Sequence, residues 1–430
     1  MGLGDVQGAT RSGRLYLAFF FVGAGCGWFP NDAINNLILN EDALGPHWFG
    51  IASILMATVG LCSGGLYLAY SIFLPGGMSR TMGRACVTTL ISTSLVTLVM
   101  MAFFWDVGAP RYPVVVLGTL LSIMVANGTY LFVFALVAID YGGWLVAPLR
   151  TGTDISSLVT TAFGELQNPD GQHNRFPSSV LFGIFAGFVL GGCLAWTAIV
   201  QKSLGLRPEA EAEEGRSHEE LPTAKRGADE VAPGAARGAP CLRQLLRGFS
   251  CPRSLLGPIL VGSLADVAQW GIVVSIAEIG ARMTDPIGCS GSVGAWVART
   301  SFKANRILVP FGSFISTPLP CSRCMMLLLG CAQIVLTAAL LCAALGIFRD
   351  AWMTAAGQWA YIVCFGMLGG LEGYLLTMAY RTVGDDEDMP MSTRRSASSL
   401  LSFLNVVAVC IAAMVVGSLV STGAIECTDP

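Results

Sequence analysis

The sequence predicts an all-α protein that crosses a membrane about eleven times. Hydrophobic residues make up 53% of the 430-residue chain, charged residues make up 12%, and the mean hydropathy is +0.64. A soluble domain carries about 25% charged residues, so this composition is typical of a membrane protein. The 51 glycines and 20 prolines agree with it, because both residues are more frequent in membrane helices than in soluble ones.

Eleven stretches are long and apolar enough to cross a hydrocarbon core about 30 Å thick, which takes about 20 residues of helix. They are Leu15–Leu39, Trp48–Leu74, Ala85–Trp105, Val114–Ile139, Leu145–Leu166, Val180–Val200, Leu256–Ile279, Val293–Ser316, Met325–Phe348, Trp352–Tyr380 and Ala397–Val420. The first is longer than the apolar region of a cleaved signal peptide and contains a cluster of Asn and Asp residues. We therefore interpret it as a retained segment.

A polar stretch, residues 201–254, divides the chain. It contains runs such as Glu209–Glu214 and Ala232–Pro240 and few large apolar residues, so it cannot bury enough surface to fold. We expect a disordered cytoplasmic linker between an amino-terminal bundle of six segments (1–200) and a carboxy-terminal bundle of five (255–430). Alternating-access carriers use such a plan, in which two bundles move around a site near the midplane of the membrane.

The distribution of Lys and Arg predicts the orientation in the membrane. With a cytoplasmic amino terminus and eleven alternating segments, the short inner connections hold nine basic residues and the outer connections hold four. Cytoplasmic loops carry an excess of Lys and Arg. We therefore expect the amino terminus in the cytoplasm and the carboxy terminus outside the cell.

Polar side chains interrupt the first segment. Asn31, Asp32, Asn35 and Asn36 follow Pro30, and a proline bends or breaks a helix. Lipid offers no hydrogen bonds, so amides and a carboxylate at this depth must face protein, water or a ligand. We predict that Asn31, Asp32 and Asn35 contact a substrate. The alternative is that these side chains cap the broken helix or bond to neighbouring helices.

The fourth and seventh segments also carry polar residues. In the fourth, Asn127 and Tyr130 either line a cavity or form hydrogen bonds between helices. In the seventh, Asp266 and Gln269 are three residues apart on one face, and Glu278 is expected at the outer rim. Because the seventh segment opens the second half as the first opens the chain, polar residues in both fit a site between two bundles. We predict that Asp266 and Gln269 line it.

Basic residues form a stripe on the eighth segment. Arg299, Lys303 and Arg306 are spaced by four and three residues, so they share one helix face. Three unpaired cations cannot face lipid. Either the stripe, with Arg299 and Lys303 as substrate contacts, lines a wet cavity beside acidic residues, or the span begins near Ile307. In the second case Ser292–Arg306 is an amphipathic outer helix.

The fifth and tenth segments each contain one further carboxylate that is a candidate for a functional role. Glu372 is flanked by glycines, which allow close approach of helices, and it is either a substrate contact or a tie between helices. Asp154 lies four residues after Arg150, at a spacing that allows an intrahelical ion pair. We interpret this pair as lying at the membrane interface, with Arg150 extending toward the headgroups.

The sequence shows no catalytic or metal-binding constellation. The three histidines lie in predicted loops, and Cys321-Ser-Arg-Cys324 has no second cysteine pair to complete a zinc site. We therefore expect no enzyme activity and no cofactor. The net charge of −3 also argues against a nucleic-acid partner, which needs a basic face. The expected partners are a small-molecule substrate and the lipid bilayer, and Trp28 and Trp270 could stack on a planar ring.

Six short stretches carry a family resemblance. They are Gly23-Ala-Gly-Cys-Gly-Trp-Phe-Pro-Asn31, Ile155-Ser-Ser-Leu-Val, Arg175-Phe-Pro-Ser-Ser-Val-Leu-Phe, Gly271–Ile276, Ile307-Leu-Val-Pro310 and Glu426-Cys427-Thr-Asp-Pro430. In these stretches the chain resembles the riboflavin transporter family of solute carriers, nearly end to end. It departs from that family in the first helix, where the family's acidic residue falls on Asn36. It departs also at Gly152-Thr153-Asp154, which looks like the family's Gly-Glu-Gly.

The resemblance implies a pseudo-symmetric 6+5, major-facilitator-like bundle of eleven helices that carries riboflavin (vitamin B2) or a close flavin, most simply in the plasma membrane. Equilibrative nucleoside transporters share the 6+5 count, the topology and a polar first helix. An equilibrative nucleoside-type carrier, or a carrier of another small solute, is therefore the alternative. A polytopic receptor or scaffold that moves nothing is a third possibility, against which the polar first segment argues.

The resemblance also implies a disulfide. Cys289 resembles the outer cysteine of a family loop, and Cys427 resembles the cysteine of the family's Cys-x-Asp-Pro ending. In the predicted topology these two cysteines lie on the outer side of the membrane, where thiols oxidise and disulfides persist. We therefore predict a bond between Cys289 and Cys427.

Overall fold

The computed structural model describes residues 3–40, 48–73, 80–108, 111–168, 174–201, 253–289, 291–386, 388–422 and 425. All regular elements within these ranges are helical, as the composition predicts. Most of the predicted linker (201–254) and Cys427 lie outside the described residues.

The helices of the first half coincide with the first six predicted segments. They are α1 (Leu3–Gly25), α2 (Phe29–Asn40), α3 (Trp48–Phe73), α4 (Arg80–Phe104), α5 (Pro113–Gly128), α6 (Phe134–Asp140), α7 (Val146–Gln167) and α8 (Ser178–Val200). A π-helical turn, Thr129–Val133, joins α5 to α6, and a 3-10 turn, Gly143–Leu145, precedes α7. The first segment consists of α1 and α2, and the fourth consists of α5, the π turn and α6.

The helices of the second half coincide with the remaining five segments. They are α9 (Arg253–Asp266), α10 (Val274–Arg282), α11 (Ser292–Ile315), α12 (Arg323–Ala344), α13 (Arg349–Trp352), α14 (Ala355–Gly384) and α15 (Met391–Ser421). A second π turn, Val267–Val273, joins α9 to α10 and makes them the seventh segment. The eighth segment is α11, a single helix throughout, so no helix boundary falls at Ile307.

Seven described helical segments are long and apolar enough to cross a membrane. They are Thr81–Phe104, Pro113–Asp140, Ser178–Val200, Arg253–Arg282, Arg323–Ala344, Ala355–Gly384 and Thr393–Val420, with mean hydropathy between 1.5 and 2.5. The length of α7 and α11 is also sufficient, but their charged side chains lower the hydropathy. Of these side chains, Arg150 and Asp154 of α7 and Arg306 of α11 contact other helices, as described below.

The first segment breaks between α1 and α2, as Pro30 predicts. Pro30 lies in the first turn of α2, where a helix needs no backbone N–H. Two hydroxyls satisfy the backbone groups at the break. The Trp28 N–H donates to Ser156 Oγ at 2.8 Å, and Thr129 Oγ1 donates to the Cys26 carbonyl at 2.8 Å. The break is therefore covered by α7 and the first π turn, and its polar backbone does not face lipid.

The two π turns place polar and aromatic residues at corresponding points of the fourth and seventh segments. A π turn inserts one residue into a helix and is frequent at functional sites. Tyr130 lies in the first turn, and Gln269 and Trp270 lie in the second. All three residues were candidates from the sequence, although the π turns themselves were not predicted.

Helix packing is most extensive within each half of the chain. In the first half α1 packs against α7 and α8, and α4 packs against α5 and α8; in the second half α11 packs along the length of α14. The halves meet where α3 packs against α15 and where α7 packs against α11.

The halves also meet at one end of the molecule, beside the connection between α6 and α7. The backbone of Gly384, at the end of α14, and the Asp385 carboxylate both lie against Gly143. Asp140 at the end of α6 pairs with Arg395 of α15 at 3.3 Å. This end of the molecule is therefore closed by contacts between the two halves.

Candidate functional site

A buried charged cluster lies where α7, α11 and α14 meet. Arg150 is 1% exposed, and its three guanidinium nitrogens bond to three different side chains. Nε donates to Asp154 Oδ2 at 2.8 Å, Nη1 donates to Tyr130 Oη at 2.6 Å, and Nη2 donates to Glu372 Oε1 at 2.8 Å. Ser313 of α11 donates to Asp154 Oδ2 at 2.9 Å. The cluster thus ties the first half of the chain to the second.

Asp266, the last residue of α9, extends this cluster. It is 4% exposed, and its carboxyl group lies near the Arg150 guanidinium and the Glu372 and Asp154 carboxyl groups. Glu372 is fully buried, and its Oε2 atom accepts no hydrogen bond from an N–H or O–H donor among the described residues. One guanidinium and three carboxyl groups are therefore enclosed together.

Aromatic rings lie beside the charged cluster. Trp28, at the break of the first segment, stacks on Trp270 of the second π turn, with ring centroids 6.2 Å apart and planes 21° from parallel. The ring of Tyr130 lies 6.2 Å from Trp28. The Arg150 guanidinium carbon lies 5.1 Å from the centroid of the Tyr130 ring and 5.9 Å from that of Phe134, within range of a cation–π interaction. Both halves therefore contribute to the aromatic surface.

Asp32 belongs to a second charged group, between α2, α7 and α11. Its carboxylate accepts a hydrogen bond from Ser157 and lies 3.7 Å from Arg306 Nη2. Arg306 Nη1 also donates to Thr161 Oγ1 at 2.6 Å. Asp32 is 5% exposed, whereas the Arg306 side chain is 31% exposed. Arg306 therefore lies between helices of the two halves.

The other two basic residues of the stripe lie farther toward solvent. Lys303 Nζ is 3.0 Å from Glu165 Oε1, and both side chains are about half exposed. Arg299 is exposed. The structure brings neither residue to the buried cluster, so their role as substrate contacts stays a prediction.

The asparagines of the first segment bond to neighbouring helices. Asn31 Oδ1 accepts a hydrogen bond from Ser122 Oγ at 3.4 Å, and Asn36 Nδ2 donates to the Thr160 carbonyl at 2.8 Å. Asn35 is half-buried. These contacts agree with the interpretation of Asn31 and Asn36 as ties between helices.

Several buried polar atoms have no hydrogen-bond partner among the described residues. They include both amide atoms of Gln269, both amide atoms of Asn405, Asn127 Nδ2 and Trp270 Nε1. Buried polar groups are normally bonded. A ligand or an ordered water is the partner that would satisfy these groups.

Our interpretation of Arg150 from the sequence was wrong. The intrahelical pair with Asp154 is present, but Arg150 does not extend toward the headgroups. It is buried and points across to Glu372 of α14. The signal that could have identified this contact is Glu372 itself, because a carboxylate inside an apolar segment requires a cation.

A groove of about 410 Å³ lies elsewhere, between α4 and α5. Its lining residues are Thr88, Thr89, Ser92, Thr93, Val96 and Leu121. It shares no residue with the charged clusters.

Comparison with solved structures identifies the fold. The chain is similar to the human organic anion transporter MFSD10 (TETRAN), with a TM-score of 0.58 and 13% identity over 94% of this chain and 93% of that one. It is also similar to the major facilitator superfamily proton:xylose symporter XylE bound to 6-bromo-6-deoxy-D-glucose, with a TM-score of 0.55 and 12% identity over 96% and 90%.

The chain has the major-facilitator fold. Together with the seven apolar helices, this fold makes it a multi-pass membrane protein, as the sequence predicts. No family model and no curated protein sequence matches the chain. Because one fold supports many functions, the function is argued from the site.

Proposed function

We propose that the chain is a transporter that carries a small solute across a membrane by alternating access. The observation that carries this proposal is the buried cluster of Tyr130, Arg150, Asp154, Asp266 and Glu372, which draws on both halves of the chain inside membrane-spanning helices. Ionisable residues at this depth are costly and mark solute or ion pathways. In this proposal residues 1–200 and 255–430 are two bundles that move around the cluster.

Riboflavin or a close flavin is the solute that we propose. Three observations support it: the resemblance to the riboflavin transporter family, the aromatic surface of Trp28, Trp270 and Tyr130, and the amides of Gln269 and Asn405, which have no partner among the described residues. An isoalloxazine ring offers a planar face for stacking and an edge of hydrogen-bond donors and acceptors. Amide side chains can match both donors and acceptors.

Uptake of labelled riboflavin into cells that lack their own flavin carrier tests this proposal. We expect uptake that saturates and that unlabelled riboflavin inhibits. If adenosine or uridine inhibits and flavins do not, the nucleoside-type alternative is correct. If neither solute class enters a cell that displays the protein, the receptor or scaffold alternative gains support instead.

A variant of Gln269 tests the site more directly. Gln269→Leu keeps the side-chain volume and removes both amide atoms, so we expect a higher KM for riboflavin with normal amounts of protein in the membrane. Gln333→Leu is the matched control, because Gln333 is also buried in the second half and its Nε2 atom donates to the Ala265 carbonyl. Among the described residues only its Oε1 atom has no partner, whereas both amide atoms of Gln269 have none. Equal KM changes in the two variants would contradict a substrate contact at Gln269.

We propose the plasma membrane as the location, with the amino terminus in the cytoplasm and the carboxy terminus outside. Cys289 is disulfide-bonded, whereas Cys427 lies outside the described residues, so their pairing stays a prediction. Non-reducing peptide mapping of protein labelled at the cell surface should recover one peptide that joins Cys289 to Cys427. Recovery of Cys427 as a free thiol would count against both the bond and the outer carboxy terminus.

A further inference from the structure

Three helices of the second half, α9, α14 and α15, meet around Gly262 of α9. A Cβ built on Gly262 would lie 3.7 Å from Leu376 Cδ1 of α14 and 3.5 Å from Leu401 Cδ1 of α15. Gly280 of the same membrane segment lies against Tyr361, near the start of α14, so the seventh segment and α14 run antiparallel. Gly262 therefore points into the space between α14 and α15, which we call the three-helix junction.

Asp266 and Glu372 face the three-helix junction at one level. Asp266 is four residues beyond Gly262, and residues four apart share one face of a helix. Glu372 is four residues before Leu376 on the antiparallel helix, so it lies on the side of α14 that faces the junction. Asp266 is 4% exposed and Glu372 is fully buried, and the two carboxyl groups lie near each other.

Asn405 of α15 faces the junction from the third side. Leu401 lies against α9, and the Val409 carbonyl oxygen lies 3.3 Å from a Cβ built on Gly271 of the second π turn. Asn405 is midway between Leu401 and Val409 and shares their helix face, so it lies level with Asp266. Asn405 is fully buried, and neither of its amide atoms has a hydrogen-bond partner among the described residues.

The chemistry of the junction suits a metal cation. The buried charged cluster contains one guanidinium and three carboxyl groups, and an unpaired buried charge is costly. Arg150 Nη2 donates to Glu372 Oε1 at 2.8 Å, but Glu372 Oε2 has no hydrogen-bond donor among the described residues. Carboxylate and amide oxygens are the ligands that small, hard cations prefer. The junction therefore combines oxygen ligands with a deficit of positive charge.

The small number of oxygens favours a univalent ion. Ca²⁺ takes about 6–8 oxygen ligands, and Mg²⁺ keeps several waters, whereas the junction is closed to solvent and offers two carboxyl groups and one amide oxygen. In the part of the chain that the structure describes, no group of three or more His, Cys, Asp or Glu residues could hold a metal ion, so the site does not suit a transition metal. We propose that Asp266, Glu372 and Asn405 bind one sodium ion.

This sodium site lies within one half of the chain. Its three ligands belong to α9, α14 and α15, so the ion stays with the second half when the halves separate. The ion uses the Oδ1 atom of Asn405, so Asn405 Nδ2 and both amide atoms of Gln269 remain available to the solute. The sodium site does not rest on the proposed transport function.

Thermal unfolding of the purified full-length protein tests the sodium site. We expect the melting temperature of wild type to rise with sodium chloride until the site is saturated, and to stay lower in choline chloride at equal ionic strength. Asn405→Leu removes the amide without breaking a hydrogen bond to a described residue. It should melt no lower than wild type without sodium, whereas its half-saturating sodium concentration should be at least about tenfold higher. Asp266→Asn should lose the sodium response.

Thr377→Val is the matched control. Thr377 is also buried on α14, but its hydroxyl donates to the Gly373 carbonyl at 2.6 Å, so the variant should respond to sodium as wild type does. Equal melting temperatures of wild type in sodium and choline chloride would overturn the site. So would a response to potassium or calcium without a response to sodium, or an unchanged sodium response in both site variants.

Equilibrium dialysis of wild type against radioactive sodium gives a second readout that does not depend on whether the variants fold. We expect one bound ion per chain, and no bound ion would overturn the proposal. If the protein binds sodium but moves neither riboflavin nor adenosine into proteoliposomes, the transport proposal fails and the sodium site stands.

Discussion

The bonds that Arg150 makes depend on the shape of its side chain as much as on its charge. Each guanidinium nitrogen has its own partner, and the three partners lie on the π turn of the fourth segment, on α7 and on α14. A planar guanidinium holds several donors in a fixed geometry, whereas a lysine ammonium is one compact charge on a flexible stem. Arg150 is therefore suited to hold three helical elements at once.

Replacement of Arg150 by lysine should destabilise the protein although the charge is kept. An ammonium group cannot reach Asp154, Tyr130 and Glu372 together, so at least one buried polar group loses its bond. Such a loss costs about 1–3 kcal/mol. We expect Arg150→Lys to lower the melting temperature of detergent-purified protein and to reduce solute uptake at least about tenfold, which corresponds to about 1.4 kcal/mol in the transport barrier.

Arg282→Lys is the control for this prediction. Arg282 pairs with Glu278 one helical turn away and donates from Nη1 to the Cys289 carbonyl. The side chains of the pair are 38% and 68% exposed, so water can replace a bond that lysine does not make. Exposed pairs of this kind contribute about 0–1 kcal/mol, so the control should melt and transport like wild type. Equal melting temperatures for the Arg150 and Arg282 variants would show that the buried network does not depend on the guanidinium.

The residues of the site could be predicted one by one but not as a set. Tyr130, Asp266 and Glu372 each stand out because a polar group in an apolar segment needs a partner. Which of them meet depends on how far each helix is rotated about its axis. The two π turns change that rotation in the fourth and seventh segments, and no residue pattern predicts these turns. The Arg150–Glu372 contact joins two continuous helices, α7 and α14, and it was missed because Arg150 was assigned to the membrane interface.

At the scale of helices, long apolar segments and the proline break were predictable, whereas close contacts between helices were not. Gly152 of α7 shows why. A Cβ built on Gly152 would overlap the Phe20 carbonyl oxygen, and a Cβ on Gly23 would overlap the Leu149 carbonyl oxygen. The backbones of α1 and α7 therefore touch, which only residues without a Cβ allow. Glycine is common in membrane helices, so its presence alone does not show which glycines make contacts.

Substitution of Gly152 by alanine should separate α1 from α7. Alanine favours a helix over glycine by about 1 kcal/mol, but the overlap is with backbone atoms, which cannot move aside as a side chain can. Overpacking of a well-packed interior costs about 1–3 kcal/mol and occasionally more. We expect Gly152→Ala to unfold at a lower temperature in detergent and to reach the membrane in smaller amounts.

Gly187→Ala of α8 is the matched control, since a Cβ at Gly187 meets no atom within 4 Å. Here the propensity gain is unopposed, so the melting temperature should be unchanged or slightly higher. If both alanine variants melt alike, the contact between α1 and α7 does not require glycine.

For the molecule as a whole, the fold class followed from the sequence, and the described helices coincide with the predicted segments. The interfaces between the two halves could not be predicted from the sequence, because they depend on how the helix surfaces fit together. One interface joins α3 to α15. A Cβ built on Gly60 of α3 would overlap the Sγ atom of Cys410 of α15, and Cys410 is a buried free thiol. This contact permits a test of the proposed movement of the two bundles.

Gly60→Cys should form a disulfide with the native Cys410 on mild oxidation, because a disulfide needs Cα atoms within about 7 Å. A bond between α3 and α15 would restrict movement of one bundle against the other. We therefore expect solute uptake to fall strongly on oxidation and to return on reduction. A protease site placed in the predicted 201–254 linker makes the bond visible, since the two halves should stay joined on a non-reducing gel after cleavage.

Two controls make this cross-linking prediction specific. Gly65→Cys lies on the same helix, but a Cβ there meets no atom within 4 Å, so its halves should separate after cleavage. Adding Cys410→Ala to Gly60→Cys should abolish the cross-link and the effect of oxidation on uptake. If the Gly60 variant cross-links fully and still transports at the reduced protein's rate, the bundles do not need to separate along α3 and α15. The bundles would then have to move about the α3–α15 interface as a fixed axis. The α7–α11 interface and the contact between Asp140 and Arg395 would open instead.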